Sequence, residues 1–301
     1  MTARLVYDAK DIVGESLLWD DRRQRLVWID IIGRCVHALD PETGRHRLWS
    51  MPFRPTSISL REDGDAMLCT ERYICRWDWE GTPIPLAEVE PDLPMNRLNE
   101  GAVGPDGALW IGTMHQNIAE DDSPAEIPAA TGRLYRYAPD GTLSRVTEDL
   151  FGISNTLVWP EPDMLVVGDT LKNALYRYRI GPDAILGPRE VFAQGLDRGL
   201  PDGSCTDARG RVWNARVVGG HAVACIGKDG ALLEYLDLPC SWPTSCAFGG
   251  TGFATLFVTS ARFTMDQDHL AEVPFEGGLF AIPAAGKGSA PNRFGARRPG
   301  S

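Results

Sequence analysis

Leu200-Pro201-Asp202-Gly203-Ser204-Cys205-Thr206-Asp207 is the stretch whose reading decides the fold. Asp202-Gly203 carries turn chemistry, because both residues tolerate φ > 0. A second turn signal, Asp207-Ala208-Arg209-Gly210, follows at once. Too few residues lie between the two for anything but one short strand. Asp202 therefore opens an inner strand, and Asp207 ends it.

The same step from a polar residue to a turn recurs along the chain. Glu15 precedes Asp20-Asp21-Arg22-Arg23, Asn99 precedes Gly104-Pro105-Asp106-Gly107, and Asn155 precedes Pro160-Glu161-Pro162-Asp163. Thr56 stands in this way before Arg61-Glu62-Asp63-Gly64, and Thr244 before Gly249-Gly250-Thr251-Gly252. After each turn comes an apolar run such as Arg25-Leu26-Val27-Trp28-Ile29-Asp30 or Arg211-Val212-Trp213-Asn214-Ala215, a strand signature. The intervals between the six positions are 41, 43, 56, 47 and 42 residues by subtraction. A propeller blade takes about 40–50 residues. The expectation is an all-β chain: a single six-bladed β-propeller over 1–285, followed by a loose tail over 286–301. Leu5-Val6-Tyr7 is expected to supply the outer strand of the last blade, beside Gly278-Leu279-Phe280-Ala281-Ile282, and so close the ring.

Composition narrows the partners. The 301 residues carry a net charge of −11, which argues against nucleic acid or an anionic membrane. No apolar run approaches the ~20 residues of a membrane span, and Met1-Thr2-Ala3-Arg4-Leu5 opens no secretory leader. The seven cysteines are scattered without a C-x-x-C pair, as reduced thiols in a cytoplasmic protein would be. There is no Gly-x-Ser-x-Gly elbow and only five His, which disfavours a serine-triad hydrolase.

The repeat also points to chemistry. The first strand of every propeller blade lines the central channel, so equivalent positions share one height around one axis. Here those positions are Glu15, Thr56, Asn99, Asn155, Asp202 and Thr244, all oxygen donors. Such a ring suits a hard divalent cation: Ca²⁺, Mg²⁺ or Mn²⁺, with Zn²⁺ less favoured for want of His and Cys. Asp63, Asp106, Asp140 and Asp229 read as hairpin-turn residues. Trp49, Trp77 and Trp79 read as blade packing.

The blocks Gly14-Glu15-Ser16, Arg97-Leu98-Asn99-Glu100-Gly101, Ile153-Ser154-Asn155-Thr156, Pro201-Asp202-Gly203 and Thr244-Ser245-Cys246-Ala247-Phe248-Gly249-Gly250 resemble the senescence-marker-protein/gluconolactonase family, the regucalcin-like sugar lactonases. So does Gly277-Gly278-Leu279-Phe280, and the likeness runs in chain order over about 10–284. The resemblance implies a six-bladed propeller with one divalent metal in the channel, Ca²⁺ first among the candidates. It implies Glu15, Asn155 and Asp202 as metal ligands, Asp202 also as general base, and Arg97 and Asn99 at the substrate. The implied reaction is hydrolysis of an aldonolactone to its aldonic acid by metal-activated water.

Two departures from the family pattern bear on the substrate. Glu100 stands where the family commonly has Asp, which moves a substrate-facing carboxylate outward by about a bond length. A pentose or deoxy-sugar lactone, or one with a charged substituent, then fits as well as gluconolactone. An acidic, Pro- and Ala-rich insertion over 115–130 accounts for the 56-residue interval and reads as a loop over the channel mouth. Two other classes stay open: a calcium-binding or scaffold propeller without turnover, and a metal-dependent esterase or organophosphate hydrolase, which a wider and more apolar mouth would favour.

Overall fold

The apolar runs and the turns between them fold as four-stranded antiparallel sheets. A computed structural model describes residues 2–296. Six such sheets form a six-bladed β-propeller. The innermost strands are Gly14–Asp20, Pro55–Leu60, Asn96–Val103, Ser154–Glu161, Leu200–Thr206 and Pro243–Gly249. They define blades one to six in chain order. Each of the six ring positions lies on one of them.

The ring closes as expected. Arg4–Tyr7 pairs antiparallel with Leu279–Pro283, with Leu5 opposite Phe280. The sixth blade thus takes its outer strand from the start of the chain, which leaves no long unpaired edge there.

The core fills the seams between blades. Val27 and Ile29 of blade one meet Ile58, Leu68 and Trp77 of blade two. Trp110 and Leu134 of blade three meet Leu157 and Val167 of blade four. Trp213 and Val223 of blade five meet Phe248 and Val258 of blade six. Burying a side chain of this size contributes about 1.5–3 kcal/mol. Trp49, Trp77 and Trp79 pack on one another, with Trp49 and Trp77 rings 5.4 Å apart and edge-on, as blade packing requires.

The turn aspartates do more than turn. Asp106 Oδ1 accepts from Trp110 Nε1 at 3.3 Å, and its Oδ2 accepts from Arg136 Nε at 2.7 Å. Asp207 accepts likewise from Trp213 Nε1 and Arg211 Nε. They anchor the indole edges that the interior would otherwise leave unpaired.

The loose tail needs correction over 286–296. Phe294 is buried, stacks on Tyr137 at 5.8 Å and joins the seam of blades two and three. Its backbone N–H donates to Leu60 O at 2.8 Å, and Asn292 Nδ2 donates to Val103 O at 3.0 Å. Arg293 reaches Asp21 at 2.5 Å. An aromatic group and a paired arginine outweigh the Gly and Pro content that suggested looseness. The remainder of that tail, 297–301, lies outside the described residues. Pro291 and Asn292 line the cavities at the end of the channel where the inner strands terminate.

Candidate active site

Every inner strand is broken at its ring residue. The pairing register shifts between Glu15 and Leu18, Pro55 and Ser57, Leu98 and Gly101, Asn155 and Leu157, Pro201 and Ser204, and Pro243 and Cys246. A β-bulge re-aims side chains away from simple alternation. Six of them at one height turn the ring residues into the channel. Gly203 serves the fifth: a Cβ there would lie 2.9 Å from both Ser245 Cα and Thr244 O, too close for any side chain.

At the other end of the inner strands lies a cavity of about 250 Å³, lined by Glu15, Arg97, Asn99, Asn155, Asp202 and Thr244 among others. Thr244 lends little chemistry, since its hydroxyl is spent on Gly14 O and Thr259. Thr56 likewise donates to Thr70 O at 3.0 Å. The ring of six donors thus narrows to two carboxylates and two amides.

Glu15 and Asp202 line the same cavity, and each acts on the other's ionisation. Burial pushes the Glu15 carboxyl up to about 7, against bonds from Ser16 N–H and Asp202. Burial, then the charges of Glu15 and Glu100, push Asp202 well up. Two neighbouring carboxyls raise each other unless a cation joins them.

Asn155 Nδ2 donates to Thr170 Oγ1 at 3.0 Å, and its Oδ1 accepts from Asn99 Nδ2 at 3.2 Å. Below Asp202, Asn214 Nδ2 donates to Asp202 O at 3.0 Å, and the buried Arg216 donates to Asn214 Oδ1 at 2.9 Å. The backbone carrying Asp202 is therefore held from beneath.

Arg97 is buried and forms no carboxylate ion pair among the described residues. Nη1 donates to Leu98 O and Asn99 Oδ1 at 2.9 and 2.8 Å; Nε and Nη2 donate to Asn117 Oδ1 at 3.3 and 2.9 Å. Burial pushes the guanidinium down to about 10, despite the charge of Glu71.

Glu100 is placed differently from the expectation. It lines the adjoining cavity beyond the ring, with Ser16, Ser59 and Asn292, and not the one at Asp202 and Arg97, yet it stays near enough for its charge to act on Asp202. The register shift between Leu98 and Gly101 falls at this point, and Asn99 and Glu100 line different cavities, one on either side of the ring. Burial and the charge of Glu15 push Glu100 up to about 8.

The 115–130 insertion does reach the cavity, through Asn117 and Ile118. It is pinned across the mouth by Asp122, whose Oδ1 accepts from Arg54 Nη2 at 2.6 Å and Arg34 Nη2 at 2.8 Å. Asn117, Thr170, Asn214 and Arg216 escaped sequence reasoning. The sole signal for Asn117 was its place at the start of the insertion; the other three stand on second strands or their ends, outside the repeat that was read.

A divalent ion fits this channel by donor chemistry. Among the described residues no three His, Cys, Asp or Glu side chains are grouped to hold a metal. Glu15 and Asp202 instead line one cavity beside the Asn155 amide, and two neighbouring carboxyls that raise each other's affinity for a proton suit a positive charge between them.

Fold and site together define a six-bladed propeller with an acidic, amide-lined pocket in its channel. The chain belongs to the SMP-30/Gluconolactonase/LRE-like family, whose model matches residues 13–262. It is 33% identical to regucalcin of Xenopus laevis over 289 residues, 94% of each chain. It is 32% identical to a 6-deoxy-6-sulfogluconolactonase of Pseudomonas putida over 285 residues, 93% of this chain and 94% of the other. The crystal structure of a calcium-binding protein, regucalcin, from Agrobacterium tumefaciens superposes with a TM-score of 0.88 at 29% identity, covering 98% of both chains. All seven cysteines are free, and among the described residues no helix is long and apolar enough to cross a membrane.

Proposed function

We propose that this protein is a metal-dependent lactonase that opens a sugar lactone to its aldonic acid. One observation carries the reading: half-buried Glu15, buried Asp202 and Asn155 line one open cavity together with Arg97, Asn99 and Asn117. Glu15, Asn155 and Asp202 hold the ion, Ca²⁺ first, with Mn²⁺, Mg²⁺ or Zn²⁺ as alternatives. When bound, it supplies Lewis-acid polarisation of the lactone carbonyl and a water of lowered pKa.

The chain's own residues supply position and proton transfer. Asp202 takes the proton of the attacking water as its oxygen bonds to the carbonyl carbon. The ring C–O bond then breaks, and the proton passes to the departing oxygen, which becomes a hydroxyl. The product is a carboxylate, with one proton released at neutral pH. Among the described residues, the contacts of Arg97 use four of its five N–H groups, leaving one on Nη2 for a substrate oxygen. Asn99 and Asn117 hold that guanidinium still, and such fixing of geometry lowers the barrier. The free thiols support residence in a reducing, cytoplasmic compartment.

The test is proton release from a panel of aldonolactones, with metal-stripped protein before and after adding Ca²⁺, Mn²⁺, Mg²⁺ or Zn²⁺. Metal-dependent acid release that Asp202→Ala abolishes is expected. Full activity in Asp202→Ala would sink the mechanism. Metal binding without acid release from any lactone would favour the second reading, a calcium-binding propeller, which the likeness to the calcium-binding regucalcin of Agrobacterium tumefaciens supports.

A further inference from the structure

The cavity has two different halves. Its floor is polar, as described above. Its wall and mouth are mostly apolar: Ile31, Ile118, Val217, Val218, Trp242 and Phe263 line it, with the Thr264 hydroxyl beside them. Among the described residues Arg97 is the one basic lining group, and it lies buried at the floor, bonded to the two asparagines. The wall therefore offers neither a cation for an anionic substituent nor a ring of donors for a chain of hydroxyls.

The backbone of the mouth carries a second, independent sign. Val218 has φ of 59°, in the left-handed region, and is 48% exposed. A β-branched residue is strained there, and nothing about burial demands valine. Gly219 and Gly220 follow at once, so the strained position has been given to a hydrocarbon where glycine or asparagine would fit more easily. Strain of this kind clusters where a ligand is held.

We propose, resting on the lactonase reading, that the substrate is a hydroxylactone with a methyl or alkyl end remote from its carbonyl, as in a 6-deoxyaldonolactone. The carbonyl and the neighbouring hydroxyl meet the asparagines, Arg97 and the ion site. The alkyl end lies against Ile118, Val218, Trp242 and Phe263. A hydroxymethyl or an anionic group at that end loses water without gaining a partner. An apolar pocket rejects an added hydroxyl only moderately, by about a hundredfold at most.

Two matched pairs of lactones test this: L-fuconolactone against L-galactonolactone, and L-rhamnonolactone against L-mannonolactone. Each pair differs only in a terminal methyl or hydroxymethyl group. With the metal-loaded enzyme, kcat/KM for the methyl member is expected to be about 10- to 100-fold higher in at least one pair. Val218→Asn places an amide at the mouth and suits the left-handed backbone, so the protein keeps its Tm while that preference falls at least about threefold. Hydrolysis of both pairs without preference, or with preference for the hydroxymethyl member, overturns this inference and leaves the lactonase reading standing. A preference untouched by Val218→Asn removes the mouth as its source and also overturns it. Hydrolysis of none of the four, with any metal, overturns both readings.

Discussion

Asn155 Nδ2 donates to the Thr170 hydroxyl at 3.0 Å, and that hydroxyl donates onward to Pro201 O at 2.8 Å. A hydroxyl has one proton, and Thr170 has given it away. Its lone pair can then take only an N–H, which fixes the amide with Oδ1 toward the channel.

The consequence is a prediction for cation binding. Thr170→Val keeps the shape of the side chain and removes the acceptor. Divalent-ion affinity is expected to fall about 10- to 100-fold, as when other partners that orient a ligand are lost. Calorimetric titration of the stripped protein measures it, with circular dichroism as a check on the fold. Affinity equal to the parent would show that Asn155 needs no such guide.

The insertion gives a second. Arg54 is buried and donates to Asp122, Glu71 and Ala119 O. Both carboxylates remain partly exposed, so Arg54→Ala should cost about 1–3 kcal/mol, short of the cost of stranding a fully buried charge. Residues 115–130 should become the first site of limited proteolysis, and KM should rise as Asn117 loses its place. An unchanged cleavage pattern would mean that the loop stands without its arginine.

The docked tail gives a third. Phe294→Ala opens a cavity under Tyr137 and Arg61, and a loss of about 3–5 kcal/mol is expected. Urea denaturation reads this directly. A loss within about 0.5 kcal/mol, typical of a surface site, would restore a loose tail.

Asp207 gives a pH dependence. Burial raises its pKa, but bonds from Arg211, Trp213 and Arg209 outweigh burial and hold it below the usual carboxylate value. A depressed folded pKa adds stability above the unfolded value near 3.8, and that stability disappears as pH falls through the folded value. Asp207→Asn should therefore be less stable than the parent by about 1–3 kcal/mol at neutral pH. The gap should close as pH drops below about 4. Denaturation at a series of pH values checks it; a gap that widens toward acid would reverse the sign.

What the chain alone determined is the repeat. Turn residues and apolar alternation are local properties with periods of a few residues. They were enough to number the blades, put Glu15, Asn99, Asn155 and Asp202 on inner strands, and pair Leu5 with the final strand. Tertiary structure decided where those side chains point. Bulges arise from pairing against a second strand, and no local pattern marked them; Asn99 and Glu100, neighbours in sequence across such a bulge, line different cavities on either side of the ring. Asn117 reaches Arg97 because Asp122 is tied to Arg34 and Arg54, residues 88 and 68 positions away. The apolar mouth likewise gathers Ile31 of blade one, Ile118 of blade three, Val218 of blade five, and Trp242 and Phe263 of blade six. Contacts at such separation depend on ring closure, which brings together residues that local propensity treats as unrelated.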